Sequence, residues 1–418
     1  MAKYKMNTYM YGAKSDPYHS RFWEEPYPTQ ITHQEEKIGY LSQDMLKSIT
    51  DVAKECKVDF IWAIHPGKAF AEPAQTEIVD KIMNKFENMY SLGVREFGVF
   101  VDDVGVPSEK NIMNLCAQNL TKLQQAVDSR WNTKGADEQD MVKPLHYVPQ
   151  LYAYGWTSLQ KGEEFYKSLA NVPQKVNIYI TGKNVWSVPN NTDIQMVKGW
   201  LGKNVSWWWN YVCNDQDMTK IFVADMYTNF KDETHILSDL RVDRELEGLD
   251  RLILNPMQQG ELSKIGLFSV ADYSWNNAAF NNELSWQNAI EKVLDTKWSH
   301  DFRIIAPTLR YYDDDALGYL ISRYKQSVER KRPAPDALIE ELEKINKSTK
   351  LLMNMEHSEA IALLKGESFE EIDYKNSKDF QFEILGGMGE DISFATRCAE
   401  PANETLLPFI YWLREMKI

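Results

Sequence analysis

The stretch "TEIVDKIMNKFENMYSLGVREFGVFVDDVG", residues 76–105, decides how the chain is read. In its first part Ile78, Ile82, Phe86 and Met89 recur at helical spacing, which predicts an amphipathic helix over 76–93. "EFGVFV" (96–101) follows as a short, β-rich apolar run, the pattern of a buried strand. That strand runs straight into two adjacent carboxylates, Asp102 and Asp103. A helix feeding a buried strand is half of a βαβ unit, so the local expectation is a parallel sheet.

The same rhythm extends on both sides. Strand-like runs occur at "KMNTYMY" (5–11), "VDFIWAI" (58–64), "LHYVPQL" (145–151), "VNIYI" (176–180), "VSWWW" (205–209) and "RLIL" (251–254). The gaps between them are long enough for crossover helices, whose hand in parallel sheets is right. So many units in a row fit a (β/α) barrel better than an open doubly wound sheet. The Gly-rich phosphate loop of a dinucleotide-binding fold is missing as well. After about residue 285 the texture becomes helical, with Ser285 a candidate N-cap for "SWQNAIEKVLDTKW". Amphipathic segments at 313–331, 335–355 and 405–418 follow. The expected organisation is a barrel domain over 1–284 and a C-terminal helical bundle over 285–418. Within the latter, "GGMG" in "DFQFEILGGMGED" (379–391) reads as a plain turn.

The bulk numbers narrow the function. With 418 residues, 43% hydrophobic and 12% aromatic, the chain has material for a large core and reads as folded throughout. A net charge of -14 argues against nucleic acid and anionic membrane surfaces and favours a neutral substrate. No apolar run reaches the length of a membrane span, and the start "MAKYKMNTYMYGAK" lacks the apolar core of a signal peptide. Cys56, Cys116, Cys213 and Cys398 are far apart and match no metal or disulfide pattern, so they read as buried, reduced thiols. The few histidines fall in no metal-ligand spacing, and neither metal nor cofactor is expected.

In a parallel barrel the reactive groups sit just past the C-terminal strand ends. Those positions carry Lys14, then Asp102 and Asp103, then Tyr152, then Thr181-Gly182, then Asn210 and Asp215, and last Asn255. Such a mixture of carboxylates, amides, a phenol and an ammonium suits a polyhydroxylated ligand, with Trp208 and Tyr211 as walls for a sugar ring. Each residue alone has a plainer reading. A DD pair is commonly a turn or an N-cap, tryptophans are commonly core, and Asn-Pro starts turns. Joint placement at strand ends is what favours a site.

Glycoside hydrolysis ordinarily uses two carboxyl groups flanking the scissile bond. Consecutive residues have Cα atoms about 3.8 Å apart, so one side chain can lie under a sugar while its neighbour reaches the leaving oxygen. Mutual repulsion of two nearby carboxylates keeps a proton on one of them, as a general acid needs. Adjacent carboxylates also suit substrate assistance, in which an N-acetyl group of the sugar attacks its own anomeric carbon.

The ordered motifs "KMNTYMYGAKSDPYH", "FIWAIHPG", "FGVFVDDVG", "VPQLY", "YITGKNVWS", "WWWNYVCND" and "NPMQQGELSKIGLFSVADYSWN" resemble glycoside hydrolase family 84 over about residues 5 to 290. This is the family of O-GlcNAcases and bacterial β-N-acetylglucosaminidases. The resemblance implies a TIM-type (β/α)8 barrel followed by a helical domain. It also implies retaining hydrolysis of terminal β-linked N-acetylglucosamine through an oxazoline-like intermediate, without metal or cofactor. By position, Asp102 matches the residue that orients the 2-acetamido group, and Asp103 matches the general acid and base. Tyr152 matches the phenol on the acetamido oxygen. Lys14, Asn210, Asp215 and Asn255 match residues that hold the sugar hydroxyls and the acetamido-binding carboxylate, and Trp208 matches a pocket aromatic. The implied partner is a β-N-acetylglucosaminyl glycan or glycoprotein.

One departure stands out. The family's first strand, ending in a "GFYG"-like motif, does not occur here, so the barrel is expected to lack its first βα unit. A start truncated upstream of Met1 is the favoured explanation, and would leave secretion open. "FQFEIL" (380–385) filling the gap is a minor alternative. An incomplete barrel also motivates a second reading, a non-catalytic N-acetylglucosamine-binding protein. A metal-dependent barrel hydrolase is the third.

Overall fold

The computed structural model describes residues 1–13, 16–37, 40–107, 109–213, 226, 242–257 and 260–293. These fall into two compact units. The first comprises Met1–Trp208 with Leu246–Ile253, and the second takes in residues from Trp209 and from Leu254 onward.

In chain order the elements are β1 (Thr8–Tyr11), α1 (His33–Lys37), α2 (Gln43–Glu55), β2 (Asp59–Ile64), α3 (Ile78–Ser91), β3 (Glu96–Phe100) and α4 (Lys110–Trp131). There follow β4 (His146–Val148), α5 (Leu159–Ser168), β5 (Asn177–Ile180), α6 (Asn191–Leu201), β6 (Val205–Trp209) and β7 (Leu249–Leu254), then α7 (Gly260–Trp275) and α8 (Asn282–Val293). All seven expected strands form, in one sheet whose spatial order follows the chain from β1 to β7. The ladders from β1 to β6 are parallel. This is a nearly closed TIM-type barrel of seven parallel strands with helices between them, as the strand–helix rhythm predicts.

The outer layer follows from helical periodicity. α3 buries Ile78, Ile82, Phe86 and Met89, the stripe read from the sequence. The Phe86 ring stacks on Phe97 of β3 at 4.2 Å between centroids. α2 starts at Ser42, whose hydroxyl accepts the Met45 N–H at 3.3 Å. Ser42→Ala should therefore cost about 1 kcal/mol, seen as a lower urea midpoint with an unchanged slope.

Strand alternation sorts β3 into two faces. Phe97 meets the helices, whereas Glu96, Gly98 and Phe100 point into the barrel. Phe100 belongs to an interior layer with Ala63, Val148 and Tyr179, against which Met10, Tyr152, Trp208 and Ile253 pack. A Cβ on Gly98 would lie 3.0 Å from the Ala63 Cβ and 3.3 Å from the Phe100 ring. Glycine there lets the Phe100 ring lie across the interior.

Below this layer the barrel interior is charged. Glu96 is buried and takes its Oε1 to His146 Nε2 at 2.7 Å and to the Arg251 guanidinium at 3.2 Å. Its Oε2 lies 3.3 Å from Lys143 Nζ, while His146 Nδ1 is 2.9 Å from the Tyr179 hydroxyl. Burial alone would raise the Glu96 carboxyl, but the His146 hydrogen bond and the surrounding positive charge outweigh it and hold the group below its ordinary range. Burial pushes His146 the other way from charging, below its ordinary value, with Glu96 only partly offsetting this. The ring is thus neutral near pH 7, with Nε2–H donating to Glu96 and Nδ1 accepting from Tyr179.

In the second unit α7 and α8 pack against each other. Ser285 is not the N-cap expected of it: α8 already begins at Asn282, and Asn281 Oδ1 accepts the Leu284 N–H at 2.9 Å. Asn281 supplies the same kind of short side-chain acceptor four residues upstream, and Ser285 is buried inside the helix. Cys56 corrects the expectation of uniformly buried thiols. It follows α2 at an exposed turn, whereas Cys116 and Cys213 are buried. The segments from residue 294 on, including most of the expected helical domain, "FQFEIL", "GGMG" and Cys398, lie outside the described residues.

Candidate active site

The C-terminal end of β3 carries the acidic pair. Alternation continues from Phe100 to Asp102, which keeps Asp102 on the interior face of the strand, with 17% of its side chain exposed. By the same rule Asp103 would point outward to the helices. It does not, because its backbone turns at φ 61, in the left-handed region that few non-glycine residues adopt. The turn brings its carboxylate to the Tyr152 hydroxyl, which donates to Asp103 Oδ1 at 2.8 Å. Two consecutive carboxylates thereby share one mouth, at the cost of a strained residue.

Tyr152 follows β4, and its ring packs on the interior layer that holds Phe100. Trp156 meets Tyr152 edge-on at 4.7 Å between centroids and remains half exposed. Trp208 of β6 stands edge-on to Phe100 at 5.5 Å. The Phe100, Tyr152 and Trp208 rings make an aromatic floor and wall beside the carboxylates. Thr181, at the end of β5, donates its N–H to the Tyr152 carbonyl at 2.9 Å and so ties that segment to the next strand.

The segment after β1 is anchored by a buried carboxylate. Asp16 accepts from the Tyr11 and Tyr27 hydroxyls at 2.8 and 2.5 Å, and from the Tyr18 N–H. Burial raises the Asp16 carboxyl against the lowering effect of these bonds. Lys85 of α3 reaches in over the Tyr27 ring, 4.6 Å from its centre. Burial lowers its ammonium to about 8, opposed by Asp16 and Glu25. This anchor fixes His19, whose Nδ1 lies 2.6 Å from the Ala63 carbonyl and whose carbonyl accepts the His65 N–H at 2.8 Å. His65, just past β2, sends its Nε2 to Asp102.

Within the second unit, Asn255 Nδ2 donates to Asn210 Oδ1 at 2.9 Å, and the Asn255 N–H bonds the Trp209 carbonyl at 2.8 Å. The sequence expects all these residues at one mouth. The structure shows Asp103 on Tyr152, with Tyr152 and Trp208 packed on the Phe100 layer in the first unit, and Asn210 bonded to Asn255 within the second. Lys14 and Asp215 lie outside the described residues. His65, His19 and Trp156 were missed. The signal for His65 was its place two residues beyond Ala63 in "FIWAIHPG", on the interior face by alternation. Among the described residues no cluster of His, Cys, Asp and Glu could hold a metal ion, and no helix is long and apolar enough to cross a membrane.

Fold and strand-end groups together define a parallel-barrel protein with polar and aromatic groups gathered at its C-terminal strand ends. More closely, the chain belongs to the NAGidase family of beta-N-acetylglucosaminidases, glycoside hydrolase family 84, whose model matches residues 1–307. It is 29% identical over 106 residues to the Protein O-GlcNAcase of Rattus norvegicus and, equally, to that of Mus musculus. That match covers 25% of this chain and 10% of each rodent protein. Among solved structures it is similar to CpGH84B, with a TM-score of 0.66 and 26% identity, over 86% of this chain and 60% of that one. CpGH84D gives a TM-score of 0.67 at 23% identity, over 87% of this chain and 58% of that one. A variant of the O-GlcNAc hydrolase of Thermobaculum terrenum gives 0.64 at 20% identity, over 85% and 73%. The chain thus spans about three fifths of the first two solved relatives and matches only a tenth of the rodent enzymes.

Proposed function

We propose that this chain is a retaining β-N-acetylglucosaminidase that removes terminal β-linked N-acetylglucosamine by substrate assistance. The observation that carries the reading is the Asp102–Asp103 pair, with Asp103 turned at φ 61 onto the Tyr152 hydroxyl. In this reading the acetamido carbonyl oxygen attacks the anomeric carbon while Asp102 accepts the amide N–H and stabilises the growing positive charge. Asp103, with Tyr152 on Oδ1, uses its other oxygen to give a proton to the departing glycosidic oxygen. It then takes one from the water that opens the oxazoline-like ring, which returns the β configuration. Trp208 and Tyr152 line the sugar, and Lys14, Asn210, Asp215 and Asn255 hold its hydroxyls and the carboxylate that binds the acetamido group. The substrate is a β-N-acetylglucosaminyl glycan or glycoprotein.

The test is turnover of aryl β-glucosaminides that differ only in the N-acyl group. Replacing acetyl by increasingly fluorinated acetyl groups weakens the attacking carbonyl oxygen, so the rate should fall steeply along the series. A flat series would point to a nucleophile from the protein. Sugar binding without turnover of even activated substrates would leave a binding protein.

A further inference from the structure

His65 has no part in the chemistry just described, yet it sits against the first of its two carboxylates and the peptide that leads to the second. Its side chain is fully buried, and Nε2 lies 3.0 Å from the Asp102 carbonyl oxygen and 3.4 Å from Asp102 Oδ1. Both neighbours are acceptors, so Nε2 carries the hydrogen. The hydrogen bond goes to the carbonyl, and the carboxylate oxygen lies off its axis, facing the same N–H. That carbonyl belongs to the peptide joining Asp102 to Asp103. Its plane sets the direction in which Asp103 leaves, at the strained φ of 61. Nδ1 is buried without a hydrogen-bond partner. A buried polar atom left unmatched is a cost that needs a return, and the return here is the ring's hold on the acidic pair.

We infer that His65 is a positioning residue that clamps the Asp102–Asp103 peptide and so aims both carboxylates at the substrate. The inference rests on the catalytic reading of the pair. The ring is itself held from behind: its backbone N–H bonds the His19 carbonyl, and the two imidazoles stand 6.1 Å apart between centroids. Asp102 from the end of β3 and His19 from the segment after β1 are the titratable groups that the described contacts bring to His65.

The decisive comparison is His65→Gln with His65→Phe in the full chain. Glutamine keeps an N–H near the Nε2 position, whereas phenylalanine keeps the ring volume and loses the donor. With an aryl β-N-acetylglucosaminide, His65→Phe should lower kcat by about 10- to 100-fold, the loss that a misplacement of about 1 Å brings. KM should change little, and His65→Gln should recover most of the rate. A folded His65→Phe protein with wild-type kcat overturns the inference, as does a His65→Gln protein that falls equally far. Asp102→Ala, measured beside them, separates the two levels of argument. If it is inactive while His65→Phe is normal, only the role of His65 fails. If it is fully active, the reading of the pair fails. A side-chain 15N spectrum reads the contact without turnover: Nε2 should carry the proton and shift on Asp102→Asn. An Nδ1–H tautomer would overturn the clamp.

Discussion

Asp103→Asn is expected to lower kcat on an aryl β-N-acetylglucosaminide with a poor leaving group by about 10²- to 10⁴-fold, the usual worth of a general acid. The choice of asparagine matters. At φ 61 Asp103 occupies a backbone region that Asp and Asn tolerate and most residues do not. Asparagine keeps the turn, and its carbonyl oxygen can still accept from Tyr152. Alanine would add roughly 1 kcal/mol of backbone cost, mixing stability with chemistry. With a highly acidic phenol as leaving group little protonation is needed, so the same variant should lose far less. Read as kcat/KM, which covers only the steps up to departure of the phenol, equal losses across leaving groups would mean that Asp103 does not donate the proton. Asp102→Asn should behave differently, losing rate with good and poor leaving groups alike, because stabilising the acetamido charge does not depend on the departing oxygen. Initial rates over a series of phenols of rising pKa distinguish the two patterns.

The barrel was legible because its signals are periodic. The α3 stripe and the seven β-rich runs each repeat a spacing that only one element satisfies, and all of them form. The position of Asp102 was legible for the same reason, since alternation carries the interior face from Phe100 one step further. Asp103 was legible only as a neighbour. Aspartate permits the left-handed turn that swings it onto Tyr152 but does not dictate it, and a regular strand would have sent it outward. His65 and Glu96 went unread for a different cause. Each is a polar residue facing the barrel interior, on or just past a strand, where pattern reading expects apolar groups, and each finds its partners far away in sequence. Asn210 and Asn255 were assigned to a sugar by position, and their hydrogen bond to each other could not be read from spacing.

Glu96 supplies the largest expected effect on stability. Its carboxylate ties His146, Arg251 and Lys143 together, and so joins β3, β4 and β7. Glu96→Ala leaves a buried His146 N–H without its acceptor and takes the carboxylate from Arg251, while Lys143 keeps Asp59 at 2.5 Å; the change is worth about 3 kcal/mol. A drop in melting temperature of several degrees should follow, with the aryl glycoside KM little altered in the folded fraction. The acid dependence identifies the cause. Glu96 is held below its ordinary value of 4.5, so its contribution is complete above that value and is lost as pH falls through the lower folded one. His146 is also lowered, from 6.5. The unfolded chain therefore takes up that proton first, and stability already declines as pH falls below 6.5. Wild-type protein should lose stability in both ranges. Glu96→Gln should keep the decline that begins at 6.5 but lose much of the one below 4.5. An unchanged slope at low pH would place the acid-sensitive carboxylates elsewhere in the fold.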